Sequence, residues 1–226
     1  MNHLKVLITG AVGGLGSELA LQLAQRGASL LLIDLDSSGL DALSDRICAK
    51  NLEEPGVCPL DLANSGPAEF EAIVEILEAQ FGGLDVFIHC AAVFPGLQPI
   101  DQILNEKWQE CMQVNVNAAW QATRSFLPLL KAGKKGRIVL IHDNEQISGS
   151  AYWGAYGVSK AALNSFGKIL EQELHGTTVK VMNHFPGPMR TGLRAKAYLA
   201  EDPGSVPCPS SAAAIIIAKL ESSFPD

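Results

Sequence analysis

Apolar residues fall along this chain in two rhythms. Val6-Leu7-Ile8, Leu30-Leu31-Leu32-Ile33, Val86-Phe87-Ile88 and Ile138-Val139-Leu140-Ile141 are unbroken runs rich in Val, Ile and Leu, as strands covered on both faces require. Between them apolar residues recur every three or four positions, as in Leu15, Leu19 and Leu23, or Phe70, Ile73, Val74 and Leu77, which is the spacing of one helix face. The pattern predicts strands over residues 5–9, 29–33, 57–60, 84–89, 137–141 and 178–185. It predicts helices over 14–26, 37–50, 67–81, about 106–130, 156–173 and around 211–220. Strands alternating with helices of this length build βαβ units with right-handed crossovers, and hence a parallel sheet. No repeat, low-complexity tract or linker divides the chain. The expectation is one doubly wound α/β domain, Rossmann-like, over residues 1–226, in which a Pro- and Gly-rich segment leads to the final helix.

Composition narrows the function classes. No apolar run in the 226 residues reaches the ~18 needed to cross a bilayer, and Thr9-Gly10 ends the first apolar run too early for a secretory signal. The five cysteines (Cys48, Cys58, Cys90, Cys111, Cys208) are scattered, with no CxxC or Cys/His spacing, which reads as a reduced cytoplasmic protein without a metal site. A formal charge of −7 and a pI near 5.2 argue against nucleic acid or an anionic membrane as partner.

Candidate chemistry starts where the first strand turns into the first helix. Thr9-Gly10-Ala11-Val12-Gly13-Gly14-Leu15-Gly16 would let the backbone turn tightly and bring a pyrophosphate against the helix N-terminal amides, where the dipole favours negative charge. Such turns also arise for steric reasons alone; the strand before and the amphipathic helix after favour the dinucleotide reading. Asp34 ends the second strand, with no Arg or Lys beside it. A carboxylate there can accept from both ribose hydroxyls of an adenosine and repels a 2′-phosphate, so the expected cofactor is NAD rather than NADP. A helix N-cap is the other role open to such an acid.

With Tyr156-Gly157-Val158-Ser159-Lys160 opening a later helix, the chain resembles the short-chain dehydrogenase/reductase family over nearly its whole length. Pro186-Gly187-Pro188-Met189-Arg190-Thr191 is similar to the family segment that clasps the nicotinamide, Asp61-Leu62 to its adenine-contacting acid, and Val114-Asn115-Val116 to a further family segment in the long helix. The resemblance implies cofactor contacts from Gly10, Val12, Gly14, Leu15, Gly16, Asp34, Asp61, Leu62, Ala91, Tyr156, Lys160, Pro186, Gly187 and Thr191. It implies hydride transfer between NAD and a ketone or secondary alcohol, with Tyr156 as general acid/base. Lys160, one turn later, would lower the Tyr156 pKa and hold the ribose, and Asn115 would bend its helix and position a water. It also implies a homodimer through the helices at 106–130 and 156–173, whose apolar residues lie on more than one face.

Three departures stand out. The family serine thirteen positions before the tyrosine is Asp143 here, in Ile141-His142-Asp143-Asn144-Glu145. An ionised carboxylate cannot donate to a carbonyl and opposes tyrosinate formation. Asp143 could serve if held protonated, or Ser148 or Ser150 could reach in instead. His89-Cys90-Ala91-Ala92 replaces the usual Asn-Asn-Ala-Gly, with Cys90 expected as buried filler. The family's seventh strand is expected to be missing, leaving six, so that any substrate lid is the short segment around 192–209. Two readings follow: a working oxidoreductase using Tyr156, Lys160, Asn115 and Asp143, or an NAD-binding relative with little turnover. Phe94, Tyr152, Trp153, Met189 and Leu193 are the candidate substrate-lining residues.

Overall fold

Six parallel strands form the sheet: β1 (Lys5–Thr9), β2 (Ser29–Asp34), β3 (Gly56–Pro59), β4 (Val86–His89), β5 (Arg137–Ile141) and β6 (Lys180–His184). They lie in the order β3-β2-β1-β4-β5-β6, which is the Rossmann order. This computed structural model describes residues 3–133 and 135–224. Strand order reverses between β1 and β4, where Leu7 pairs with Leu31 on one side and Phe87 on the other. Connections leave in opposite directions at that point, so a crevice opens above the carboxyl ends of the two strands.

The helices are α1 (Gly14–Ala24), α2 (Ser37–Cys48), α3 (Pro67–Ile76), α4 (Asn105–Met112), α5 (Ala118–Ala132), α6 (Glu145–Ser148), α7 (Gly154–Glu173), α8 (Gly192–Ala197) and α9 (Pro209–Ser222). The single helix expected over 106–130 is in fact two, joined by a π-helical turn at Gln113–Asn117. A second π turn, Leu77–Phe81, closes α3. Helix starts are fixed by local chemistry. Asp36 accepts from the Gly39 amide at 2.9 Å to cap α2, and Glu69 reaches back to the Gly66 amide at 2.7 Å ahead of α3.

Alternation along each strand sends side chains into two dry layers. Val6, Ile8, Leu32, Ile88 and Val139 pack beneath α1, α2 and α9, with Leu19, Leu23, Ile216 and Ile217 opposite. Leu7, Ile33, Phe87 and Leu140 pack beneath α3, α5 and α7. In that second layer Phe126 meets Phe87 and Phe70 edge-on, with ring centroids 5.3 and 6.1 Å away. Fully burying each such ring is worth about 1.5–3 kcal/mol. With both faces covered, the carboxyl ends of the strands are where a ligand can enter. No helix among the described residues is long and apolar enough to cross a membrane.

Candidate functional site

A cleft of ≈ 1070 Å³ runs along those strand ends, from Asp34 and Asp61 at one end to Asp143 and Tyr156 at the other. At the first end the glycine turn is sterically obligatory. Gly10 has φ +68°, and a Cβ there would lie 2.6 Å from the Ala91 backbone; a Cβ at Gly16 would run into the Gly10 carbonyl oxygen. The chain leaving β4 and the start of α1 therefore close on the turn from both sides. No side chain caps α1, so the amides of its first turn face the cleft with the helix dipole behind them.

Asp34 is fixed from two directions. Its Oδ2 accepts from the Val12 amide at 2.9 Å and its Oδ1 from the Asp36 amide at 3.1 Å. Each oxygen keeps a lone pair for a further donor. Asp61 accepts from the Ala63 amide at 2.9 Å and from Asn64 Nδ2 at 2.6 Å, while Leu62 and Ala91, both buried for the most part, also line the cleft. Gly14, Leu15, Pro186, Gly187 and Thr191 also line the cleft. Among the described residues its cations are Lys107, Lys160, Arg194 and Lys196, carried by α4, α7 and α8 rather than by β2 or its exit.

The other end is built by β5 and α7. Tyr152 (φ 72°) and Gly154 (φ 35°) turn the chain sharply into α7, which brings Tyr156 back toward β5. The Tyr156 hydroxyl donates to Asp143 Oδ2 at 2.7 Å. Lys160 Nζ donates to the Ile141 carbonyl at 3.1 Å and lies 5.7 Å from the Tyr156 ring centre. Burial pushes the Tyr156 pKa well above its ordinary value of 10, and the Asp143 charge and the hydrogen bond to Asp143 push it further. Burial also lowers the Lys160 pKa, against the charge of Asp143, which raises it. In this arrangement Tyr156 keeps its proton and aims it at Asp143.

Asn115 lies in the π turn that joins α4 to α5. Its side chain, however, turns away from the cleft and is fully buried. Oδ1 accepts from the Val93 amide at 2.8 Å, and Nδ2 donates to the Val93 carbonyl at 3.1 Å and to Ser159 Oγ at 2.9 Å. The side chain thus fastens the β4 exit to α7.

Neither candidate serine offers a free donor to the main cleft. Ser150 Oγ donates to the Gln146 carbonyl at 2.7 Å, and Ser148 lines a neighbouring recess rather than the main cleft. Tyr152 belongs to that recess and is 60% exposed. Phe94, Trp153, Met189 and Leu193 do line the cleft. Cys90 reaches it as well, but burial pushes its thiol up to about 12, which leaves little nucleophilic thiolate.

Sequence reading missed the internal bonding of the segment around 192–209. Arg194 holds Glu201 through two contacts of 2.6 Å, and its guanidinium stacks 4.2 Å from the Tyr198 ring centre. Tyr198 extends an aromatic wall: Trp153 lies 6.0 Å from it and 5.8 Å from Tyr156, and Phe94 lies 5.2 Å from both Trp153 and Tyr156. Thr191 Oγ1 caps α8 by accepting from the Arg194 amide at 3.2 Å.

Residues 4–202 match the family model described as short chain dehydrogenase. The chain is 30% identical over 210 residues to the oxidoreductase YciK of Escherichia coli K12, covering 93% of this chain and 83% of that one. Among solved structures, a short chain dehydrogenase from Pseudomonas syringae superposes with a TM-score of 0.92 at 34% identity, covering 100% of this chain and 90% of the other. One from Shigella flexneri, complexed with NADP, does so with a TM-score of 0.92 at 29% identity, covering 100% and 93%.

Proposed function

The chain belongs to the short-chain dehydrogenase family, and from that membership we propose that it is an NAD-dependent oxidoreductase acting on a ketone or the corresponding secondary alcohol. The observation that carries the proposal is the single cleft joining an open helix N-terminus and a ribose-binding carboxylate to a tyrosine–lysine pair one helical turn apart. A nicotinamide dinucleotide fits the residues present: the cradle at Gly10 and Gly16 admits no Cβ, the α1 amides suit a pyrophosphate, and Asp34 suits two ribose hydroxyls. Bound there, the cofactor supplies or accepts the hydride.

The protein's part is to hold and move one proton. In this reading Tyr156 Oη leaves its bond to Asp143 and gives the reacting oxygen its proton or takes it, with Lys160 as the nearby cation. Pro186, Gly187 and Thr191 line the same cleft, as do Leu193, Arg194 and Lys196 of α8. The Shigella flexneri neighbour holds NADP; what favours NAD here is the acidic rim of Asp34, Asp36 and Asp61, which offers a 2′-phosphate no cation. Five free cysteines fit work in a reducing compartment such as the cytoplasm. Exposed Trp120 on α5 and Val158 and Ile169 on α7 favour pairing of two copies across those helices.

The same Tyr156–Asp143 hydrogen bond favours a second reading, in which the chain binds NAD and turns over little, because the proton needed by a ketone is committed elsewhere. Tyr156→Phe separates the two. Under the oxidoreductase reading it keeps cofactor affinity and loses ~10²- to 10⁴-fold in ketone turnover, the usual contribution of a positioned acid/base. Equal turnover by wild type and variant contradicts that reading.

A further inference from the structure

We infer that this site takes protonated imines in preference to ketones: a carboxylate bonded to Tyr156 and set against an aromatic wall suits a substrate that brings a positively charged N–H group. The inference rests on the hydride-transfer reading above and narrows its substrate class.

A ketone finds the wrong partners here. Its oxygen gains negative charge as hydride arrives, and Asp143, at the reacting end of the cleft, repels that charge. The one hydroxyl placed to protonate it, Tyr156 Oη, already donates to Asp143 Oδ2 at 2.7 Å. Burial and the charge of Asp143 both oppose ionisation of that hydroxyl. Ser150 is bonded to the Gln146 carbonyl and gives no substitute.

An iminium ion inverts each of these terms. Its N–H donates, and Asp143 accepts: Oδ1 takes the Asn144 amide at 2.7 Å and Oδ2 takes Tyr156, which leaves lone pairs on both oxygens. Charge attracts charge, and the transition state retains part of the cation, so stabilisation relative to the neutral imine in water persists to the top of the barrier. Aromatic faces from Phe94, Trp153 and Tyr156 stand beside the carboxylate, with ring centres 5.2–5.8 Å apart; rings around an acid are a recurrent receptor for organic cations. Of the cations near this end, Arg194 is paired with Glu201, while Lys160, bonded to the Ile141 carbonyl, feels the Asp143 charge and shares it with a bound substrate.

The reaction balances without a proton from the protein. A neutral imine takes one proton from water to become the iminium. Its carbon then receives a hydride, both electrons forming the new C–H bond, while the C=N π pair moves onto nitrogen. The amine leaves, and a reduced nicotinamide cofactor is left oxidised. Asp143 supplies charge and orientation, and Tyr156 orients Asp143.

The test compares dihydroisoquinoline with tetralone, an imine and a ketone on similar bicyclic frames, using wild type, Asp143→Ser and Asp143→Asn with NADH and NADPH. Binding of NADH by each variant, measured by titration, establishes that the fold is intact. Wild type should favour the imine by about tenfold or more in kcat/KM, the factor one charge-assisted hydrogen bond implies. Asp143→Asn should lose that advantage, and Asp143→Ser should invert it by raising ketone turnover. A wild type that prefers the ketone, or variants that leave the ratio unchanged, overturn the inference while the hydride-transfer reading stands. If wild type binds NADH and reduces neither compound, both fall.

Discussion

Replacing Asp34 by alanine should erase the cofactor preference, and the size of the effect can be worked from its surroundings. Asp34 is half-buried, with its carboxylate pinned by the Val12 and Asp36 amides at 2.9 and 3.1 Å, so it cannot swing away from an incoming phosphate. A phosphate monoester carries about −1.5 to −2 charges. Two unit charges ~4 Å apart interact by about 1 kcal/mol in bulk water and about 4 kcal/mol at an effective dielectric of 20. For a half-buried acid and a solvated phosphate, about 2–4 kcal/mol against NADPH is expected, roughly 30- to 1000-fold in Kd. Asp34→Ala removes that repulsion and also the acceptor for two ribose hydroxyls, so NADH should weaken while NADPH tightens. Water can reach the two freed amides, and the fold should lose only ~1 kcal/mol. Calorimetric titration of wild type and variant with both cofactors, at one fixed ionic strength because the term is screened by salt, reads the outcome. Wild type binding NADPH as tightly as NADH would refute the NAD assignment. A variant that keeps the wild-type preference would show that Asp34 is not its cause.

Two further outcomes follow from the same structure. His89, His142 and His184 are buried, and burial lowers their pKa values to about 3, 4 and 4 from an ordinary 6.5. The unfolded chain then binds protons that the folded chain does not, so stability is full above about pH 6.5 and falls as pH drops toward 4. Urea midpoints measured across that range should decline steadily, and a flat midpoint from about pH 7 to about pH 4.5 would contradict the burial argument. Trp120→Glu places a charge on the exposed face of α5, where Trp120 is 47% exposed. It should convert a dimer to a monomer by light scattering at micromolar concentration, and a monomeric wild type would remove the proposed interface.

The sheet was legible because parallel strands advertise themselves. β1 and β5 have the expected bounds, and β2 runs one residue further to take in Asp34. The π turn at Gln113–Asn117 was not legible, since one extra residue in a helical turn leaves apolar spacing nearly unchanged. Nor were α6 and α8, which are too short to show a period and exist because Asn144 and Thr191 cap them. At the site, the count from Tyr156 back to Asp143 located an acid that now meets the tyrosine hydroxyl. What the count lacked was direction: it could not say that Tyr156 would spend its proton on that acid, or that Asn115 would turn inward to Val93 and Ser159. The buried Arg137, which binds Ser223 Oγ at 2.8 Å and lies 4.6 Å from the Phe224 ring centre, had no periodic signal either. Its partners come from the far end of the chain, and only tertiary packing makes a buried guanidinium tolerable.

The central claim is that this cleft transfers hydride between a nicotinamide and a bound substrate. The most direct measurement follows the atom itself: NADH carrying deuterium at the reacting carbon is incubated with the protein and an acceptor, and the product is read by mass spectrometry. The account predicts one deuterium at the former carbonyl or imine carbon, from one face of the cofactor, with far less labelled product from Tyr156→Phe and Asp143→Asn combined. Cofactor binding without deuterium in any product, or label appearing equally with the double variant, would contradict it.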